Sequence, residues 1–128
     1  MAVDATRPID CAPIFVVRDI GASLAHYRDA LGFEVAFEWG DPTYYAGVCR
    51  GALTIHLQAA SNTERPAGAS AVTVFVGSAD AVYADLRERG ARILLAPATY
   101  PYGMRDFSVS DLDGNTLVFG NPVESAPG

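Results

Sequence analysis

Two helix-to-strand joints of the same design, about 58 residues apart, constrain this chain more than any other feature. In the first, Ile20, Leu24, Tyr27 and Leu31 recur at helical spacing and form one apolar face. Gly32 ends that helix in the usual C-terminal position, and Phe33 to Phe37 follows at once as an alternating strand. In the second, Ser78 can cap a helix whose apolar face is Ala79, Val82, Tyr83 and Leu86. Gly90 ends it, and Ala91 to Leu95 is the strand that follows. The surroundings repeat as well. Before the first helix stands a strand, Pro13 to Val17. After its joint come a turn at Gly40-Asp41-Pro42 and two strands, Tyr44 to Cys49 and Ala52 to Gln58. Before the second helix stands Val72 to Val76. After its joint come a long loop through Pro97, Tyr100, Pro101, Tyr102 and Gly103, and then strands Arg105 to Ser110 and Asn115 to Phe119. An Asp111-Leu112-Asp113-Gly114 turn joins these last two strands, and Asn121 to Gly128 reads as a loose tail.

The pattern predicts an α+β fold: two tandem βαβββ modules forming a curved mixed sheet with the helices on its outer face. All 128 residues fit a single domain. Module 1 covers about residues 11–59, a polar linker about 60–70, and module 2 about 71–121. Each helix covers one sheet face and leaves the other bare. Open apolar sheet is costly in water, so a ligand, a metal site or a partner chain should fill the concave side.

Composition removes several functions. The net charge is −6, with nine Arg and no Lys, which disfavours nucleic-acid binding. No apolar run approaches the roughly 20 residues of a bilayer span, so no membrane partner is expected. The segment Met1 to Asp10 lacks the apolar stretch of a secretory signal, and a cytoplasmic location is the default. Cys11 and Cys49 read as free, buried thiols. There is no CxxC, no Gly-x-Ser-x-Gly elbow and no phosphate loop.

Positive candidates cluster on the predicted concave face. Alternation along Leu53 to Gln58 turns Leu53, Ile55 and Leu57 toward the helix and Thr54, His56 and Gln58 into the cavity. Phe37, Trp39, Tyr44 and Tyr45 flank one rim loop, and Tyr100 and Tyr102 another. Aromatic rings offer large contact area at low entropic cost and stack on flat heterocycles or cations. Arg105 either binds a ligand carboxylate or pairs with an acid such as Asp106 or Asp111. Glu38 and Asp41 either hold a cationic ligand or are solvated surface acids. His26, off the apolar stripe of its helix, is expected in solvent.

Three stretches then carry a family resemblance: Pro13 to Asp19 running into Tyr27-Arg28-Asp29-Ala30-Leu31-Gly32-Phe33, Tyr45-Ala46-Gly47-Val48, and Tyr102-Gly103-Met104-Arg105-Asp106-Phe107 ending in Asp111-Leu112-Asp113-Gly114-Asn115. The chain resembles the vicinal oxygen chelate superfamily of glyoxalases, extradiol dioxygenases and fosfomycin- and bleomycin-resistance proteins, and in particular the bleomycin-resistance branch. The metal-dependent members use about four His or Glu ligands on the concave face. The matching positions here fall on Ala12, on His56, near Ala71 and near Val118, so only His56 is a donor. The resemblance therefore implies no metal, no cofactor and no catalytic residues. It implies aromatic ligand contacts at Phe37, Tyr45 and Tyr102, where the family usually has Phe in place of Tyr45 and Trp in place of Tyr102. It also implies a homodimer whose clefts draw on both chains, often with the first strand exchanged. The expected function is non-metal sequestration of an aromatic or cationic small molecule, with Phe37, Trp39, Tyr45, Thr54, His56, Gln58, Tyr100, Tyr102 and Arg105 as ligand-binding candidates. The rival expectation is a glyoxalase-like lyase or dioxygenase using His56 at a metal site that this alignment of positions misses. In a third, the cleft serves another metabolite.

Overall fold

The structure, a computed structural model, describes residues 4–124. Eight strands and two longer helices follow one another as two βαβββ units. In the first unit, β1 (Ile14–Val17), α1 (Ile20–Asp29), β2 (Glu34–Gly40), β3 (Thr43–Arg50) and β4 (Leu53–Ala59) build a four-stranded sheet of order β1-β4-β3-β2. In the second, β5 (Ala71–Phe75), α2 (Ala79–Glu88), β6 (Arg92–Tyr100), β7 (Met104–Ser110) and β8 (Thr116–Pro122) build the equivalent sheet, β5-β8-β7-β6. In each sheet the strand before the helix pairs parallel with the last strand, and the other pairings are antiparallel. No ladder joins β1 to β5, so the hydrogen-bonded sheets remain two sets of four.

Each helix starts on a side-chain cap. Asp19 accepts the Ala22 N–H and Ser78 accepts the Ala81 N–H, satisfying donors that a first turn leaves orphaned. Gly32 and Gly90, at φ +73 and +84, follow the helix ends. One core spans both units, from Phe15, Tyr27, Leu31 and Phe33 to Leu86, Phe107, Val109 and Leu117.

A buried carboxylate ties the units together. Asp111, 1% exposed, accepts the Tyr27 hydroxyl, the Asn115 side-chain amide and the backbone N–H groups of Asp113, Gly114 and Asn115. Asn115 also donates to the Val16 carbonyl of β1. The Asp-Leu-Asp-Gly-Asn run is thus an intermodule knot as well as a turn.

Several expectations change. The predicted loop from Pro97 is instead the continuation of β6 to Tyr100. Proline is tolerated there because β6 is one of the sheet's two outer strands and its pairing is irregular between Leu95 and Ala98. Asn121 and Pro122 lie in β8 and not in a loose tail, while 125–128, like 1–3 at the other end, fall outside the described residues. His26 is half-buried, and its Nε2 is shielded from solvent without a hydrogen-bond partner. The helix turns it toward Arg92 and Ser110 of the second unit, contacts that its place off the α1 stripe does not reveal. Cys11 is exposed and Cys49 half-buried; both are free. Cys11 belongs to the stretch ahead of β1, outside any strand or helix. No helix among the described residues is long and apolar enough to cross a membrane.

Candidate functional site

The open face of the first sheet is assembled by pairing. Gly47 of β3 lies between Phe37 of β2 and His56 of β4. The alternating burial of β4 puts Ile55 and Leu57 in the core and leaves Thr54, His56 and Gln58 half-buried on the opposite side. Gln58 pairs with Tyr45, and Thr54 with Cys49. Three rings meet here. Phe37 stacks on Tyr45 at 6.3 Å and 17°, and His56 stands edge-on to both. The Tyr45 hydroxyl and His56 Nδ1 are 2.8 Å apart. A side chain at Gly47 would run into the Phe37 ring, so this glycine lets Phe37 lie flat across the sheet. Desolvation raises the Tyr45 phenol above its ordinary value, and the nearby Arg65 guanidinium opposes that. Arg65 comes from the linker and is anchored on the Ile14 carbonyl and the Ser70 hydroxyl.

Trp39 stands apart from the trio. It is 65% exposed at the hairpin tip, where its indole N–H donates to the Tyr44 hydroxyl. Gln58 reaches toward Asn62 at the rim.

The second sheet repeats the plan with other side chains. Its open face is a groove of about 530 Å³ lined by Phe75, Leu95, Tyr100, Tyr102, Met104 and Asp106 among others. Tyr100 and Tyr102 lie parallel, 5.2 Å apart at 3°. The Tyr102 hydroxyl donates to Asp106 Oδ2 at 2.9 Å, and desolvation followed by that bond raises its phenol above the ordinary value. The groove is open: Phe75 is 73% and Tyr102 66% exposed.

Arg105 is not brought to this groove. Phe107 and Val109, at the same alternation along β7, lie in the core, and the Arg105 guanidinium grips both oxygens of Asp80 on α2. It also donates to Thr99. Its partner is thus neither Asp106 nor Asp111, because strand alternation sends it to the helix side. Asp106, which the sequence offers only as a partner for Arg105, and Arg65, which it does not single out, are the charged groups beside the rings. The alternation of β7 marks Asp106; nothing local marks Arg65.

The donor set does not suit a divalent ion. Among the described residues no three His, Cys, Asp or Glu side chains come together. Ala71 and Val118 sit on β5 and β8 at open-face register, and neither side chain can ligate.

The sequence model of the Glyoxalase/Bleomycin resistance protein/Dioxygenase superfamily matches residues 10–119. Among solved structures, the chain is similar to a glyoxalase/bleomycin resistance protein/dioxygenase from Nocardioides, with 26% identity, 98% of this chain and 91% of that one covered, and a TM-score of 0.75. A glyoxalase/bleomycin resistance protein from Catenulispora acidiphila is 29% identical over 89% of this chain and 98% of its own, with a TM-score of 0.70. The bleomycin-binding protein of Streptomyces verticillus, solved with copper(II)-bleomycin, shares the fold at 24% identity, with 94% and 99% covered and a TM-score of 0.74. No curated protein matches the sequence.

Proposed function

Because the chain belongs to the glyoxalase/bleomycin resistance protein/dioxygenase superfamily, we propose that it is a homodimeric binding protein that sequesters a small aromatic or cationic molecule, as an antibiotic-resistance protein of the bleomycin type would. The observation that carries this reading is the placement of the rings. Phe37, Tyr45 and His56 line one open face and Tyr100 and Tyr102 the other, and ring contacts stay within each set. A single chain therefore offers two half-sites. A second copy laid against the first by a twofold axis covers both and joins the first face of one chain to the second face of its twin. Exposed Phe37, Phe75, Leu95 and Tyr102 are then removed from water. Sequestration requires affinity alone, which stacked rings and a few polar groups supply.

The enzyme reading rests on His56 alone. Its neighbours on the face are Tyr45, Phe37 and Gly47, and among the described residues it joins no group of three His, Cys, Asp or Glu side chains.

Titration with metal-free and copper-bound bleomycin, followed by Trp39 fluorescence and by light scattering, tests the proposal. A dimer binding one ligand per cleft is the expected result. A monomer, or unchanged fluorescence across a set of planar drugs, overturns it. Stoichiometric metal in the purified protein, together with turnover of the methylglyoxal–glutathione adduct, establishes the enzyme instead.

A further inference from the structure

We infer that Asp106 makes the half-site on the second sheet selective for planar ligands that carry a positive charge. The inference rests on the small-molecule reading above and assigns the charge that reading leaves open.

Asp106 is the one carboxylate in a groove otherwise lined by apolar, hydroxyl and thioether side chains. Among the described residues no cation pairs with it. The adjacent Arg105 points to the other face of β7 and is held by Asp80 in a bidentate pair. Of its two oxygens, Oδ2 accepts the Tyr102 hydroxyl, and Oδ1 has no hydrogen-bond partner among the described residues. The backbone makes room for this placement. A side chain at Gly120 of β8 would press on the Asp106 Cβ at 3.0 Å and the Met104 Cε at 3.1 Å, so glycine there leaves both side chains undisturbed across the sheet.

The same hydrogen bond fixes the ring beside the charge. Tyr102 is mostly exposed and would otherwise sample several rotamers; tied to Asp106, it lies parallel to Tyr100. The groove thus presents a flat π surface with an uncompensated carboxylate at its edge. A cation is attracted by both, through the ring quadrupole and through the carboxylate. Phe75, Leu95 and Met104 lower the local dielectric and strengthen that attraction once a ligand displaces water. An anionic ligand meets an unpaired like charge and is rejected, which is how specificity is built by repulsion.

The test uses two probes of nearly the same shape, acridine in its neutral form at about pH 8 and the permanently charged 10-methylacridinium, titrated by fluorescence. The wild-type protein should prefer the cation by about tenfold, a typical yield for one partly desolvated charge contact. Asp106→Asn, which keeps the shape of the side chain, should bring the ratio to about one. Tyr102→Phe removes the tie but leaves the charge, so it should weaken both probes and keep the preference. Circular dichroism confirms that both variants are folded. Equal affinities for the two probes in the wild type, or a preference that survives Asp106→Asn, overturn the assignment while leaving the binding reading intact. Failure of both probes to bind the wild type overturns the binding reading for this groove and the assignment with it.

Discussion

The two modules follow the same path and bury themselves differently. In the first, Phe15, Val16 and Val17 of β1 are fully buried, and α1 buries Ile20, Ser23, Leu24 and Tyr27. In the second, Val72 and Val74 of β5 are only half-buried, and α2 buries just Ala79 and Leu86. Their open faces diverge in the same sense. The first holds a packed trio of rings with a polar pair inside it; the second is an exposed groove with stacked tyrosines and a free charge. Topology is therefore shared while the chemistry of each face is local. The first module carries more of the interior, and the second leaves more of its apolar surface exposed.

The sharpest way to break the comparison is at the knot between the modules. Asp111→Ala removes the acceptor of five hydrogen bonds, two of them from the side chains of Tyr27 and Asn115. Unsatisfied buried donors are expensive, and a loss of about 3 kcal/mol or more is expected in urea unfolding. Trp39 fluorescence, which reports the first module, should then lose coincidence with far-ultraviolet dichroism. A single coincident transition of unchanged midpoint would show that Asp111 does not couple the modules. Gly68→Ala attacks the same joint from the linker. At φ +77 its new side chain would meet the Asp113 carbonyl oxygen, so more than about 1 kcal/mol should be lost.

A smaller change separates binding from folding. Gly47→Ala pushes the Phe37 ring off the first sheet without touching the core. Acridine affinity should fall by about fivefold while the melting temperature moves by only a few degrees. A large fall in melting temperature with intact binding would make Phe37 a stability element and not a ligand contact.

Much of this architecture is legible in order and spacing. The glycine-ended helices announce the repeat, and the alternation of Leu53 to Gln58 places His56 and its neighbours on the open face, because both signals are local periodicities. What could not be read depends on contacts across long sequence separations. Arg105 has Asp106 beside it and Asp111 six residues on, yet it bonds Asp80, 25 residues away, through the helix that its strand packs against. Tyr27 meets Asp111 over a separation of 84 residues. Pro97 reads as a strand breaker until β6 is known to be an outer strand whose pairing is irregular between Leu95 and Ala98.

His26 is the subtlest of these long-range effects and sets the smallest expected change. Desolvation first, then the charge of Arg92, lower its pKa from an ordinary 6.5, outweighing the opposite pull of Asp111 and of the Ser110 backbone. The folded chain therefore holds His26 neutral where the unfolded chain begins to bind a proton. More protons on the unfolded state mean that stability rises with pH, so this contribution is complete above about pH 6.5 and declines as the pH falls below it. Asp80, lowered from 3.8 chiefly by its hydrogen bond from Arg105, acts in a separate window; the stability it adds is kept above that value and lost in stronger acid. His26→Leu removes both the titration and the partnerless buried Nε2. Melting curves between about pH 8 and pH 5 should show the wild type losing stability relative to this variant on acidification. A relative gain by the wild type over that range would mean that the junction between the modules favours the charged imidazole, and that Asp111 outweighs burial and Arg92 there.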